Sequence, residues 1–416
     1  MLRNLVFFAA IIAMNYTLAR PSPVDFLFVA SLVLSLFVRH RLHAALFVFF
    51  ILVVMWTAGF YLASIPYFDD PEVRSELQKK TFVVLLSLTA AYVGSSWGDR
   101  EFHRFYRVYI ASCVIGASLG ISGFLFNIPD LIWDGRSKGY FDDPNMYGAF
   151  LIPGALACMY FSSRGPGRPL PYLIAGAVII LGIVFSFSRA ATAGFVVISL
   201  VYLSYLHRGQ IGRLIAAAAG VLLAIMIMFA AAFALVENFQ EKFLERATIA
   251  KEYDQGREGR YARYVRSIPI ILETPRGLGI NQQDHIFWEP IHNIFLSSFL
   301  NYGWLGGVAW LLVFIGSLKI SLVNYRLTSS PIVPLAIASF VGPVLCALLH
   351  EGEHWRHLWL FLGLVWGLNP SNFPARRAAV APLEARRGRA VPEVVVPLAS
   401  GPPSWSPAGR PVGSAQ

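Results

Sequence analysis

Apolar residues in this chain come in long unbroken blocks, not at helical or strand spacing within a mixed sequence. The blocks fall near 4–19, 22–38, 44–63, 81–97, 105–126, 145–162, 170–187, 190–206, 214–236, 292–318, 332–349 and 355–368. A helix needs roughly 20 apolar residues to cross the hydrocarbon core of a bilayer, and these blocks are about that long. The pattern predicts an all-α, polytopic membrane protein of about 12 transmembrane helices. The first block ends in Thr17-Leu18-Ala19, loosely like a leader cleavage site, but it lacks a compact basic start. Retained as a span, it gives a consistent topology.

The polar residues between the blocks orient the chain. With the N-terminus in the cytoplasm, the even-numbered connections are Arg39–His43, Gly98–Arg107, Arg164–Arg168, His207–Arg213 and Lys319–Arg326. Each is short and carries at least two Lys or Arg, as cytoplasmic loops do. The odd-numbered connections carry most of the acids, including Asp69, Asp70, Glu72, Glu76, Asp130 and Asp134. An even number of spans returns the C-terminus to the cytoplasm. The expected organisation is a membrane domain over 1–369 and a disordered, Pro/Gly/Ser-rich basic tail over 370–416. One connection, about 237–291 on the non-cytoplasmic side, is long enough to hold short helices of its own.

Composition agrees with lipid as the solvent: 56% of the 416 residues are hydrophobic and 14% are charged. A soluble domain is nearer a quarter charged. The net charge of +10 would suit nucleic acid, but the basic residues are spread over short loops and the tail, which fits membrane orientation instead. Cys113, Cys158 and Cys346 all lie inside apolar blocks, which argues against a disulfide framework or a thiolate metal site.

Candidate chemistry gathers on the side of the long loop. Phe239, Phe243 and Ala247 repeat every four residues and predict an amphipathic surface helix. Arg257, Arg260, Arg263 and Arg266 follow at three-residue spacing, which makes a slanting ribbon of guanidiniums on a helix. Such forks match phosphate oxygens bidentately, although a solvated or headgroup-binding face has the same pattern. Thr274 to Gly279 stops that helix with a flexible turn at Gly277 and Gly279. His292 and Asn293 stand at the start of the next span, and histidine is suited to moving protons near neutral pH. Earlier in the chain, Asp143-Pro144-Asn145 forms a rigid turn before a span. Arg189 sits between two apolar blocks with almost no loop to expose it, so it calls for an anionic partner. His350-Glu351-Gly352-Glu353-His354 matches the H-E-x-x-H zinc pattern. It straddles the end of a span with a glycine in its middle, so a short polar connection is the preferred reading.

Taken together, these segments resemble the O-antigen ligase and polymerase superfamily of bacterial envelope proteins. Gly139-Tyr-Phe-Asp-Asp-Pro-Asn145 looks like the family's G-x-F-x-D-P-N turn, and Ser186-Phe-Ser-Arg189 like its S-x-S-R segment. Gly259-Arg260 through Pro275-Arg-Gly-Leu-Gly279 looks like its arginine followed by P-x-x-G-x-G. His292-Asn293 and Gly303-Trp-Leu-Gly306 look like its H-N and G-x-x-G pair. The resemblance covers roughly 135–325, and the order and common side of the motifs are more specific than any one of them.

The resemblance implies a metal-independent glycosyltransferase of the inner membrane, working without cofactor at the periplasmic face. Its donor would be a glycan on undecaprenyl diphosphate, and its acceptor a hydroxyl on lipid A-core or a growing polysaccharide. By the matched positions, His292 would be the base, and Arg189 and Arg260, helped by Arg263, would hold the diphosphate. Asp143, Asn145, Gly277, Gly279 and Asn293 would shape the site. His285 stays open as an alternative base, and ligase and polymerase are not separable. A transporter or flippase of the same lipid-linked glycan is the alternative from another class, although transporters place ionisable groups at the midplane of their spans. An intramembrane zinc protease is the third reading.

Overall fold

The computed structural model describes residues 2–17, 22–38, 40, 42–165, 167–235, 239–247 and 259–376. Arg39, Arg41, Arg257 and the tail beyond Arg376 lie outside them, and so do the expectations placed on those residues. The fold is all-α. In chain order its helices are α1 Leu2–Ala13, α2 Pro23–Leu36, α3 Ala44–Ser64, α4 Pro71–Gly94, α5 Asp99–Leu125, α6 Pro144–Ser163 and α7 Pro169–Phe185. They continue as α8 Arg189–Leu206, α9 Ile211–Leu235, α10 Phe239–Ala247, α11 Arg260–Glu273, α12 Ile294–Leu327, α13 Ile332–Ala347 and α14 Arg356–Gly367. One small hairpin, β1 Ile132–Trp133 with β2 Arg136–Ser137, interrupts the helices.

Each apolar block became a helix. Among the described residues six helices (α3, α5, α6, α8, α9 and α12) are both long and apolar enough to cross a membrane, and α1, α2, α7 and α13 are shorter apolar helices. α4 starts ten residues before its apolar block. Pro71 occupies the first turn and Asp70 caps it, its side chain accepting from the Glu72 backbone N–H at 2.7 Å. Glu72 and Glu76, expected in a connection, therefore ride on a helix.

The packing shows how helices without a hydrophobic drive between them stay together in lipid. Gly363 and Gly367 of α14 lie on Ser87 and Ala91 of α4 so closely that a Cβ would stand 2.2 and 2.5 Å from their carbonyl oxygens. Such small-residue seams let backbones approach and gain dispersion contacts. Trp56, Trp310 and Trp359 stack at the meeting of α3, α12 and α14, with centroids 4.9 to 5.0 Å apart. Two pairs of buried opposite charges meet within this interior, where low dielectric makes an unpaired charge costly. Arg356 holds both oxygens of Asp25 at 3.0 and 2.9 Å, and Lys80 meets Glu353 at 3.1 Å.

Candidate functional site

A cavity of about 490 Å³ opens where several chain reversals meet. The hairpin supplies Trp133, Asp134 and Arg136, and the start of α6 supplies Asn145. Phe187, Arg189 and Ala190 come from the turn into α8, Arg260 and Tyr261 from the start of α11, and Glu289 and His292 from the segment leading into α12. Leu349 and His350, just past α13, close the wall. Residues more than 200 positions apart in sequence are thus gathered around one space.

Local sequence explains how the helices come to start there. Asp143 caps α6, its carboxylate accepting from the N–H groups of Asn145 and Met146 at 2.7 and 3.0 Å. Asn293 caps α12 in the same way, accepting from Phe295 and Leu296 at 3.0 Å. Before α8 the chain turns sharply through Phe187, whose φ is +48°. The Ser186 hydroxyl accepts from the Ser188 N–H at 3.1 Å, and the Ser188 hydroxyl caps Ala191 at 3.2 Å. This fixes Arg189 as the first residue of α8, as Gly259 fixes Arg260 as the first of α11.

The electrostatic consequence is a focused positive field. Residues at the N-terminal ends of α6, α8, α11 and α12 line the cavity, and each helix N-terminus carries roughly half a positive charge. Three guanidiniums (Arg136, Arg189 and Arg260) are added to that, against the acids Asp134 and Glu289. Arg136 is held in place: its Nε donates to the Ser186 carbonyl and one terminal nitrogen donates to Asn145 Oδ1, both at 3.0 Å. His350 feels the field, because burial first, and then His292, Arg260, Arg136 and Arg189, hold its imidazole well below the usual histidine range. It therefore stays neutral at neutral pH.

His292 is fixed through its backbone. The Tyr264 hydroxyl donates to its carbonyl at 2.5 Å, and the Asn293 side chain donates to the Leu348 carbonyl at 3.2 Å. Its Nε2 lies 3.9 Å from Glu289 Oε2, and its ring meets that of His350 edge-on at 5.9 Å. The alternative base, His285, is exposed at the end of a short 3-10 turn and does not line the cavity.

Arg263 is placed differently from the sequence expectation. It is 0% exposed and does not line the cavity. It donates to Glu289 Oε2 at 2.8 Å and to the Glu289 carbonyl at 3.1 Å, and it stacks over Trp288. Arg266 stacks over Phe287. An i, i+3 step turns 60° short of a full helical turn, so the ribbon fans around α11 and only Arg260 of the described three faces the cavity. Gly277 and Gly279 also lie elsewhere. α12 breaks at Gly303 (φ 64°, ψ −168°), and the 275–279 loop satisfies the backbone groups that the break releases. Trp304 donates to the Pro275 carbonyl at 2.9 Å, while Leu278 and Gly279 donate to the Leu300 and Asn301 carbonyls at 2.8 and 3.0 Å. The two glycines brace α12 and do not line the cavity with His292.

The H-E-x-x-H segment is not helical as a zinc site requires; a 3-10 turn runs over Gly352–His354. His350 faces the 490 Å³ cavity, while Glu351, Glu353 and His354 face a separate 90 Å³ cavity behind it. Among the described residues no three His, Cys, Asp or Glu side chains come together as a metal-binding group. Arg136, Glu289 and His350 were not identified from sequence. Their signal is long-range, since none sits in a periodic or motif-like stretch that points to the others.

Residues 174–311, which include Arg189, Arg260, Glu289 and His292, match the model of the O-antigen ligase family. The chain is also similar to an O-antigen polymerase of Salmonella muenchen, 27% identical over 149 residues. That alignment covers 36% of this chain and 36% of the relative, so the chain spans about a third of the relative's length.

Proposed function

On the premise that the chain belongs to the O-antigen ligase and polymerase superfamily, a group of membrane proteins of O-antigen assembly, we propose a specific chemistry for its cavity. In this reading the protein is a metal-independent glycosyltransferase at the periplasmic face of a bacterial inner membrane, with both termini cytoplasmic. It moves a glycan from undecaprenyl diphosphate to a sugar hydroxyl on lipid A-core or on a growing polysaccharide. The single observation that supports it most is the convergence of three guanidiniums and four helix N-termini on one cavity that also holds His292.

A lipid diphosphate leaving group develops negative charge as its bond to the sugar breaks. Fixed cations and helix dipoles aimed at that position stabilise the transition state without reorganising. Arg189, Arg260 and Arg136 are the residues we assign to the diphosphate oxygens. His292 takes the proton of the acceptor hydroxyl as its oxygen bonds to the anomeric carbon. The bond from that carbon to the phosphate oxygen breaks, and its electron pair leaves with undecaprenyl diphosphate. Glu289, already held by Arg263, stabilises the imidazolium that forms.

The test is transfer in membranes of a strain lacking the gene, which supply the natural donor and acceptor. His292→Ala, Arg189→Ala and Arg260→Ala should each reduce transfer at least 100-fold while the protein remains in the membrane. Normal glycan output from all three would overturn the site. The purified protein should also carry out transfer by itself, and movement of the lipid-linked glycan without transfer would favour a transporter instead.

A further inference from the structure

The cavity with His292 shares a wall with a second, smaller cavity whose chemistry the proposed reaction does not use. The wall is the segment 350–354, and its residues divide between the two sides: His350 looks toward His292, whereas Glu351, Glu353 and His354 look into the 90 Å³ space. Glu353 is fully committed there. It pairs with Lys80 at 3.1 Å and accepts from the Ser297 hydroxyl at 2.6 Å and from the Tyr302 hydroxyl. Glu351 is hydrogen-bonded, among the described residues, to the Gln283 side chain, whose Nε2 donates to Glu351 Oε1 at 3.0 Å.

Gln283 is buried, and its other end faces the catalytic segment: the backbone N–H of Ile291 donates to Gln283 Oε1 at 3.4 Å. That N–H cannot accept, so the amide must present its oxygen to Ile291 and its nitrogen to Glu351. The acceptor at Glu351 thus sets the amide's orientation. Ile291 directly precedes His292, whose carbonyl is held by Tyr264 and whose following residue, Asn293, is held to Leu348. With Gln283 this makes three ties on three consecutive residues.

We infer that Glu351 is a positioning residue for His292, acting through the Gln283 amide to hold the Ile291–His292 backbone against the cavity wall. The inference rests on the reading of His292 as the base. The ionised carboxylate is the better acceptor for Gln283 Nε2, because a charge-assisted bond is about twice as strong as a neutral one. Burial pushes the Glu351 carboxyl up to about 7 against the pull of Gln283 and Lys80, with Glu353 and Asp284 adding to the rise. The charged and titratable groups around the small cavity are Glu76 and Lys80 on α4, Tyr302 on α12, Asp284 on the 282–285 turn, and Glu353 and His354 on the same segment as Glu351. Glu353 and Lys80 neutralise each other, which leaves Glu351 as the group whose charge changes the tie. With His292 read as the base, Glu351 adds a second proton that the site loses on becoming active.

The experiment is the pH profile of transfer by the full chain in the gene-deleted membranes described above. In the wild type, the logarithm of the rate should fall with a slope near 2 on the acid side. In Glu351→Gln, which keeps an acceptor but does not titrate, the slope should become 1 with the rate at low pH preserved or raised. Gln283→Ala, which cuts the tie and retains Glu351, should lose about 10-fold in rate above pH 7, converge on the wild type in acid and show a slope of 1, without losing membrane protein. A slope of 2 retained in Glu351→Gln, or a wild-type rate in Gln283→Ala, overturns the inference while an inactive His292→Ala leaves the proposed function standing. Full transfer by His292→Ala overturns both.

Discussion

Arg263 and Glu289 form an ion pair at 2.8 Å in which the guanidinium is wholly enclosed and the carboxylate keeps a third of its surface. The same carboxylate oxygen lies 3.9 Å from His292 Nε2. Arg263 therefore reaches the cavity only through Glu289. Glu289→Gln would leave a buried cation without its counter-charge, a loss of about 2 kcal/mol after allowing for the exposed side of the pair. The expected result is a lower melting temperature in detergent together with reduced transfer. The double variant Arg263→Met/Glu289→Met should recover part of the stability and none of the activity. Additive losses in that cycle would show the two side chains to be independent.

Arg136 makes a prediction of a different kind. Its guanidinium uses one edge to hold the Ser186 carbonyl and Asn145 Oδ1, and lines the cavity beside Arg189 and Arg260. Lysine has the charge but not the fork. Arg136→Lys should therefore resemble Arg136→Ala, each losing roughly 10- to 100-fold in transfer, about 1.4 to 2.8 kcal/mol at a tenfold per 1.4 kcal/mol. A lysine variant of wild-type rate would mean that charge alone is needed there.

His350 gives a prediction for stability against pH. Its folded pKa lies well below the ordinary value of 6.5, so between the two the unfolded chain binds a proton that the folded chain refuses. The contribution of this group to stability is present above about pH 6.5 and is lost as the pH falls through that window. His350→Gln should melt at a temperature less sensitive to acid between pH 7 and 5 than the wild type. Equal acid sensitivity of the two proteins would remove His350 as a source of it.

Much of this architecture can be read from the sequence, and the reasons differ from part to part. Every apolar block became a helix because backbone groups in lipid have to be satisfied within the segment itself. Asp143, Asn293 and Ser188 cap helix starts through local hydrogen bonds, and Arg189, Arg260 and His292 were found from the spacing and motif-like segments in which they stand. Arg136 reaches the cavity only because a two-residue hairpin folds back against α5 and the turn before α8, a closure that no local pattern encodes. Arg263 was assigned to the substrate because three-residue spacing suggests a common face. Each step falls 60° short of a full turn, and the one step from Arg260 already carries the Arg263 side chain away from the cavity. His350 was absorbed into a metal motif, and only the division of the 350–354 segment between two cavities separates it from Glu351.

The break in α12 separates residues that build the site from residues that do chemistry. Gly303 has φ 64° and ψ −168°, a region essentially closed to side-chain-bearing residues, and a Cβ there would stand 2.4 Å from the Arg276 carbonyl carbon and the Pro275 oxygen. Gly277, with φ +81°, would place its Cβ 2.3 Å from the Gly303 nitrogen. Neither contact can relax without expelling the 275–279 loop, which satisfies the Leu300 and Asn301 carbonyls. Gly303→Ala and Gly277→Ala should each cost roughly 3 kcal/mol or more, strain and clash together. The readout is a fall in membrane-inserted protein and in melting temperature, with the activity per folded molecule nearly kept. Gly220→Ala in α9, where a Cβ meets nothing within 4 Å, supplies the contrast and should be neutral or stabilising by up to about 1 kcal/mol. If Gly277→Ala instead left the protein level intact and abolished transfer, Gly277 would belong with the residues that meet the substrate.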